Sequence, residues 1–358
     1  MFRVPHTKTG IPVAEVTEQP LCQLQFSYLL SFVMRLTSAE SKTTPDSIQF
    51  LNEAYSFLLN DLVIPYWTSV AAWHWQGFFP NMREAVIARL DFIHHKNLIS
   101  PTYYRAFYDM DFFTMAIAAD LLAAKKIFAL SKEQETQLYD IQSLTRRMFE
   151  ARLEPGLGFL FQKGIWTEHQ EYQYALCEIG QSLPDTPCPD PQQAPDSNHA
   201  ERLPWWLLSF ESSFEPDSEG AKYYQHLQKR LAHQLAESVL DWSAQFPRLT
   251  NFMDGKNGWY RVRYNGRNWG YGPFALSHAA KWFSWSPLGK FDNRITQFHD
   301  KLCNLIHTKD RASIAFRTAY YGNPVQPKLY GLGTEDDIGT NPLYPLYCDL
   351  WTRLTFLR

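Results

Sequence analysis

The chain has 358 residues, of which 45% are hydrophobic, 20% are charged and 16% are aromatic. The charged share lies below the roughly 25% of ordinary soluble domains, so rings have displaced charged and aliphatic side chains. This composition excludes a disordered chain, a collagen-like repeat and a coiled coil, and the length is sufficient for a sizeable buried core.

The charge balance argues against a polyanionic partner. The formal net charge is −3, so no global field attracts nucleic acid. The longest apolar stretch, from Phe112 to Leu130, is interrupted by Asp120, Lys125 and Lys126, and a membrane helix needs a longer unbroken run. The first residues show no apolar segment typical of a Sec signal. We therefore expect a cytoplasmic protein with no membrane or nucleic-acid partner, with leaderless secretion left open.

The cysteines give no pattern of a disulfide framework. Five are present, an odd number, and none forms a CxxC pair, which favours a reducing compartment. His299, Cys303 and His307 share one helical stripe, but they spread over about 12 Å of helix axis and cannot all bind one ion. We predict no metal site and no cofactor.

Apolar spacing and N-terminal signals predict a succession of helices. Thr44-Pro45, Ser100-Pro101 and Asn341-Pro342 are typical helix starts, and Ser131 with Gln134 forms a capping box. The predicted helices lie near residues 22–37, 45–63, 81–97, 101–130, 131–152, 165–180, 218–244, 273–284, 290–308 and 342–356.

Prolines crowd together in residues 183–204, which predicts a loop or linker, not a packed element. The simplest domain boundary would fall there. The aromatic character is the same on both sides, however, so we expect a single helical domain over residues 1–358 with this segment as a long loop.

The sharpest local signal is a β-hairpin at residues 259–271, in which Asn265-Gly266 separates two short runs. Asn-Gly favours a two-residue type I′ turn, because both turn positions need positive φ. The register places Tyr260 opposite Tyr271. One face is then aromatic and must lean on the helical body, while the other carries Arg261 and Arg263 and is free to address a ligand. Alternatively, both arginines pair with local acids and only fasten the ribbon.

Three further segments combine rings or acids on loops and helix starts. Residues 331–339 carry consecutive acids between glycines, which could supply a general acid, a calcium ligand or a counter-charge, or could be a solvated turn. Residues 73–81 place rings on a connection, as a binding platform or a buried corner. Tyr104 and Asp111 share a helix face, where Asp111 could have a raised pKa or could simply meet the helix dipole.

Successive helical hairpins, with aromatic and charged residues on the connecting loops, resemble the α/α toroid enzymes that act on carbohydrates. These include glycoside hydrolases and alginate-lyase-like enzymes. The resemblance is architectural and spans most of the chain. It implies an all-α fold, an incomplete barrel of helical hairpins with a small β-hairpin at 259–271. It also implies a funnel lined by residues 73–81, 254–278 and 317–337, and an oligosaccharide or polysaccharide substrate.

Two reactions fit this expectation. Hydrolysis needs two carboxyl groups, and the candidates are Asp111, Asp254, Glu335 and Asp336. Elimination from a uronate needs a cation or amide at the substrate carboxylate and a base, for which Tyr264 and His278 are candidates. The expected substrate-binding residues are aromatic, amide, imidazole or cationic: Trp73, His74, Trp75, Arg261, Arg263, Asn268, Trp269, Arg317 and Tyr320.

A function from another class competes with the enzyme. Rings and arginines are also typical of protein-binding hot spots, so the chain could be a non-catalytic helical scaffold that binds another protein through exposed aromatics.

Overall fold

The computed structural model describes residues 19–39, 44–70, 79–91, 101–177, 182–266, 268–321 and 343–355. Within these residues the protein is mostly helical, with one two-stranded antiparallel sheet, which confirms the predominantly helical class. The chain forms two compact units, Met1–Arg152 with Trp206–His226 and Leu153–Trp205 with Leu227–Arg358. Residues 183–204 therefore lie inside the second unit.

The described elements are named here in chain order. The α-helices are α1 (Gln19–Ala39), α2 (Pro45–Ser56), α3 (Ile64–Thr68), α4 (Met82–Leu90), α5 (Asp109–Ala124), α6 (Lys132–Arg152), α7 (Ser197–Ala200), α8 (Leu203–Ser212), α9 (Glu219–Gln234), α10 (Asn293–His307), α11 (Arg311–Tyr320) and α12 (Leu343–Thr355). The other elements are π-helical turns at Phe57–Val63 and Leu235–Val239, 3₁₀ turns at Thr102–Arg105, Lys125–Ile127, Gln170–Tyr172, Tyr264–Gly266, Ala275–Trp282 and Ser286–Lys290, and strands β1 (Leu240–Asp241) and β2 (Arg248–Leu249).

Two of the predicted helix starts, at Thr44-Pro45 and at Ser131, are confirmed, whereas Asn341-Pro342 lies outside the described residues. The Thr44 hydroxyl accepts the Ser47 backbone N–H at 3.2 Å, directly before Pro45. Ser131 and Gln134 satisfy each other's backbone N–H groups at 2.9 and 3.1 Å, as the capping box requires. Local side chains thus set these boundaries, which is why the sequence predicts them.

Other helix predictions are wrong. The helix expected from residue 101 begins only at Asp109, because Tyr108 is extended (φ −135°) and its backbone N–H donates to the Asp111 carboxylate at 3.0 Å. Residues 165–177 form turns with one 3₁₀ turn, not a helix. Helices α8 and α11 were not predicted, since the first is apolar nearly all round and the second is short and mostly exposed.

The first unit is centred on α5, all but two of whose residues are buried. Asp111 near its start receives two hydrogen bonds from Arg89, at 2.6 and 2.9 Å, and both residues are buried. Arg89 also donates to the carbonyls of Ala85 and Ala106. The pair therefore joins α4 to the start of α5. Asp111 thus has a structural role at the start of the helix.

A second buried carboxylate joins α1 to α5. Asp120 is fully buried, lies 2.7 Å from Arg35 Nε and accepts the Ser31 hydroxyl at 2.8 Å. Burial raises the pKa of Asp120 to about 6, and Arg35 and Ser31 only partly offset it.

The proline-rich segment corrects our expectation of an unpacked loop. It has little regular structure, yet Asp190, Gln193, Ala194 and Asp196 are buried. Its backbone pairs with residues 251–253, since the Met253 N–H donates to the Pro195 carbonyl and the Ser197 N–H donates to the Asn251 carbonyl, both at 2.9 Å. Prolines prevent helix formation here, but side chains and partner backbone satisfy the segment's polar groups.

The cysteines also correct our expectation. Cys177 pairs with Cys188 and Cys303 with Cys348 as disulfides, and Cys22 is free and exposed. Neither pair has a diagnostic spacing. Cys188 reaches Cys177 because residues 173–176 and 188 exchange backbone hydrogen bonds at 2.9 Å. The pairing removes the argument for a reducing compartment that rested on unpaired thiols, and it removes Cys303 as a thiolate ligand.

Across the described ranges, no helix combines the length and the apolar character required to cross a bilayer.

Asp120→Asn should change how the stability of the protein depends on pH. The raised folded pKa means that Asp120 stabilises the fold when protonated and loses that contribution as pH rises from about 4 through about 6. The free energy of unfolding of the wild type, relative to the variant, should therefore fall by about 2 kcal/mol between pH 4.5 and 7.5. Denaturant unfolding at both pH values measures it. Asp61→Asn, at an exposed position, is the control; a parallel pH profile for wild type and Asp120→Asn would contradict the prediction.

Peptide mapping of protein purified without reductant should find Cys177 linked to Cys188 and Cys303 linked to Cys348. Cys22 alone should react with iodoacetamide in the native protein. Alkylation of all five thiols before reduction would refute the pairing.

Candidate functional site

The β-hairpin predicted at residues 259–271 forms only in part: it has a single bridge at its base, and Tyr264–Gly266 is a 3₁₀ turn. Tyr260 and Tyr271 exchange backbone hydrogen bonds of 2.9 and 2.7 Å, which is the predicted pairing. Asn265 and Gly266 both have positive φ, 53° and 72°. The turn residues and the base pair were therefore readable from sequence.

Between these points the predicted register is wrong. The Arg263 N–H donates to the Trp269 carbonyl at 2.8 Å, one residue out of register with the Tyr260–Tyr271 pair. Arg261 and Arg263 both have positive φ, and the Arg261 N–H donates to the Glu171 carbonyl at 2.9 Å. The carbonyls of Glu171 and Tyr174 thus accept N–H groups that a second strand would have bound. Arg261 lies over the Tyr260 and Tyr264 rings, so the predicted aromatic and cationic faces are not separate.

The rings at the base of the ribbon pack as expected on the body of the second unit. Its core here consists of Tyr172, Ala175, Phe252, Tyr260 and Leu276, with partly buried Trp166 and Tyr271 against it. Two further rings pack on Tyr271 of this aromatic cluster. Trp269 lies edge-on to Tyr271 and His278 stacks on it, each with ring centroids 5.6 Å apart.

Arg261 does not stand free on the ribbon. It contacts Glu171 Oε1 through Nε and Nη2, each at 2.7 Å, and the Tyr260 hydroxyl donates to Oε2 at 2.6 Å. Glu171 is buried, so both carboxylate oxygens are satisfied inside the protein. Burial, followed by the charges of Asp196 and Glu171, raises the pKa of Tyr260 well above its ordinary value. Arg261 therefore pairs with an acid inside the protein, as the structural alternative predicted for it.

Beside this pair lies a buried aspartate that holds a histidine. Asp196 is fully buried and caps the short helix α7, accepting the His199 backbone N–H at 2.9 Å. The His199 Nδ1 lies 2.9 Å from Oδ2, and the Tyr172 hydroxyl donates to the same oxygen at 2.7 Å. Burial alone would raise the pKa of Asp196, but His199 and the Tyr172 hydroxyl hold it below its ordinary range. Asp196 is therefore ionised at neutral pH.

This contact fixes the chemistry of His199. An ionised carboxylate favours a proton on Nδ1, so Nε2 is the ring nitrogen that can exchange a proton with a ligand. The His199 side chain is 35% exposed. The pair therefore has the arrangement of an oriented general base, with a buried orienting carboxylate and a solvent-accessible ring.

A second histidine belongs to the same cluster. His169 Nδ1 accepts the Glu171 backbone N–H at 3.4 Å, and its ring lies 5.7 Å from Trp166 and 6.3 Å from Tyr264. Burial, with the positive charges of Arg261 and His199, lowers the pKa of His169 below its ordinary 6.5 despite the opposing charge of Glu171. His169 is therefore neutral at pH 7.

The structure brings only some of the expected site residues to this cluster. Arg261, Tyr264, Trp269 and His278 lie in or next to it through the contacts above. Arg263 binds the Pro184 carbonyl at 2.7 Å and Asp185 at 2.8 Å, and Asn268 is exposed.

The remaining expected residues have other surroundings. Asp254 lies 3.4 Å from Lys256, which also binds Asp190. Arg317 is buried and donates to the Leu305 and Thr308 carbonyls at the end of α10, while the Tyr320 ring packs near Arg248. Asp111 belongs to the first unit. Trp73, His74, Trp75, Glu335 and Asp336 lie outside the described residues.

Sequence reasoning missed His169, Glu171, Asp196 and His199. The first two fell in a segment wrongly predicted as helix, and the last two in the segment interpreted as an unpacked loop. One signal was available: an Asp three residues before a His is the spacing of an N-cap whose side chain can also reach the imidazole.

Comparison with known proteins adds no relative: no family model matches the chain, and neither a curated protein nor a solved structure shows significant similarity to it.

The His169 ring should titrate below pH 6.5, and Glu171→Gln should lower its pKa further. The Glu171 carboxylate raises this pKa, so its neutralisation strengthens the net lowering effect of burial, Arg261 and His199. NMR titration of isotope-labelled histidine measures both values, with His169→Gln to assign the signal. An upward shift in the Glu171→Gln variant would contradict the arrangement.

Proposed function

We propose that the cluster around His199 is the active site of a carbohydrate-active enzyme that cleaves an acidic polysaccharide by β-elimination. One observation carries the proposal: a half-exposed imidazole is oriented by a buried, ionised carboxylate, beside partly buried rings. The alternative reaction, hydrolysis, is supported less well.

The choice between the two reactions depends on the carboxylates. Hydrolysis of a glycosidic bond needs one carboxyl group that can protonate the leaving oxygen. Glu171 is bound by Arg261 and the Tyr260 hydroxyl, and Asp196 by His199 and the Tyr172 hydroxyl. Asp196 is ionised and has no proton to donate, and both oxygens of Glu171 are already bound by donors inside the protein. A histidine oriented by a carboxylate and a tyrosine are groups that elimination can use as base and acid.

In the proposed reaction, Nε2 of His199 removes the proton next to the carboxylate of a uronate. The electron pair forms the carbon–carbon double bond, the bond to the glycosidic oxygen breaks, and that oxygen takes a proton. Tyr264 is the candidate donor. It lies by His169, and burial and Glu171 raise the pKa of its hydroxyl, so that it keeps its proton at neutral pH.

Two other features support an acidic sugar as the substrate. The pair of Arg263 with Asp185 is exposed, 38% and 92% for the two side chains, and such pairs contribute little, so Arg263 can exchange Asp185 for a ligand carboxylate. Trp166, Trp269 and Tyr271 are partly buried rings that offer faces or edges to the C–H surface of a sugar. The proposal also keeps the α/α toroid as the arrangement of the helices, supported by the mostly helical composition.

His199→Ala should abolish cleavage while leaving the fold intact. We expect kcat/KM on a responsive polysaccharide to fall by at least about 100-fold, the scale of general base catalysis, with a nearly unchanged Tm. The assay follows the absorbance of the new conjugated double bond across a panel of uronate-containing polysaccharides, together with release of reducing ends. His233→Ala, at an exposed histidine of α9, is the matched control.

The outcomes separate the parts of the proposal. Reducing ends without a double bond would replace elimination by hydrolysis. Full activity in His199→Ala would remove His199 from the mechanism. No cleavage and no thermal shift with any sugar of the panel would overturn the carbohydrate proposal.

A further inference from the structure

Helix α1 has an apolar outer face. From residue 21 to residue 39, where side-chain burial is described, every exposed residue is apolar: Cys22, Phe26, Leu29, Val33, Leu36 and Ala39. The four large ones are exposed by 70% (Phe26), 60% (Leu29), 42% (Val33) and 50% (Leu36). Polar residues of the same helix, such as Ser27 and Ser31, are buried. The most exposed positions of this surface helix are thus apolar, where polar residues are usual.

The spacing of this face is that of a helix-pairing seam. Residues 22, 26, 29, 33 and 36 alternate steps of four and three, so they occupy the a and d positions of consecutive heptads. Val33 and Phe26 fall at a, and Leu29, Leu36 and Cys22 fall at d. A β-branched residue at a with leucine at d is typical of two-stranded pairing. The pattern therefore indicates that a helix covers this face.

The low charge of α1 favours a helical partner over a lipid surface. Interfacial membrane helices carry lysines and arginines beside the apolar face. Helix α1 contains one charged residue, Arg35, and this is held by Asp120. Without charges at its flanks, the face attracts no anionic lipid, and two copies of it can approach without repulsion.

The same face on another molecule is the surface that matches. Among the helices within the described residues, none besides α1 exposes four large apolar side chains at this spacing. We propose that the α1 seam, Phe26, Leu29, Val33 and Leu36, joins two copies of this chain in a two-fold symmetric dimer.

The size of the seam sets the strength of this dimer. Its exposed side chains cover roughly 400 Å² per copy, about half of a standard interface. The helix is already formed by its packing on α5, so pairing costs little ordering. Dissociation in the micromolar range is therefore expected, and the association state must be measured up to several hundred micromolar.

The test is a charge exchange at Leu29 in the full chain. Sedimentation equilibrium of the wild type should show a concentration-dependent dimer. Leu29→Glu and Leu29→Lys should each weaken it by roughly 100-fold, because each places two like charges in an apolar seam. An equimolar mixture of the two variants should recover the dimer, since Glu and Lys then meet. Leu157→Glu, at a more exposed leucine of the second unit, is the control and should dimerise like the wild type.

Three results would overturn the proposal: a monomeric wild type, an undiminished dimer in both Leu29 variants, or a mixture that stays monomeric. In the last case the seam would be covered by a segment other than a second copy of α1, such as residues 1–18. Circular dichroism melting of each variant verifies that the helix remains folded; loss of activity in the assay above has no bearing on this test.

Discussion

The buried carboxylate of Asp196 is the interaction on which the candidate site depends. It lies in the proline-rich segment, caps α7, binds the His199 ring and accepts the Tyr172 hydroxyl. An ionised group buried without partners would cost several kcal/mol, so these three donors must stay in place for Asp196 to stay charged. Removal of any one donor should therefore weaken the contacts that the other two make with Asp196. The position of His199 is set by the fold of the unit as a whole, and not by α7 alone.

The same constraint explains how the second unit stays ordered with little regular structure near the site. Buried backbone groups need partners, and here side chains supply them. The Asn251 side chain donates to the carbonyls of Gly258 and Gly272, each at 2.8 Å, and accepts the Leu276 N–H at 3.0 Å. Asn257 accepts the N–H groups of Asn251 and Phe274. These two amide side chains thus bind backbone groups that a neighbouring strand would otherwise bind. They also fix the backbone that carries the rings of the aromatic cluster.

Predictability from sequence follows the range of each interaction. The capping box at Ser131 and the turn at Asn265-Gly266 were correctly predicted because their partners lie within a few residues. The ribbon register failed at Arg261 because its backbone partner, Glu171, lies far away in the chain. His199 and Glu171 were missed for the same reason. Rings and arginines marked the neighbourhood of the candidate site, but the groups that hold charge there are set by tertiary contacts with no local pattern.

The buried contacts of Asp120 and the exposed seam both follow from the way α1 distributes its polar and apolar side chains. Its inner face carries Ser31 and Arg35, which solvate Asp120, while Leu24 and Met34 supply the apolar contacts. Because α1 turns Ser27, Ser31 and Arg35 inward, its most exposed positions are left to apolar side chains. The inward pairing replaces hydration that Arg35 and Ser31 would have in water, and the outer face then remains a large apolar patch. A dimer would cover that patch without any change in the buried network. Substitutions at Leu29 should therefore act on association, whereas substitutions at Asp120 should act on stability, although both concern α1.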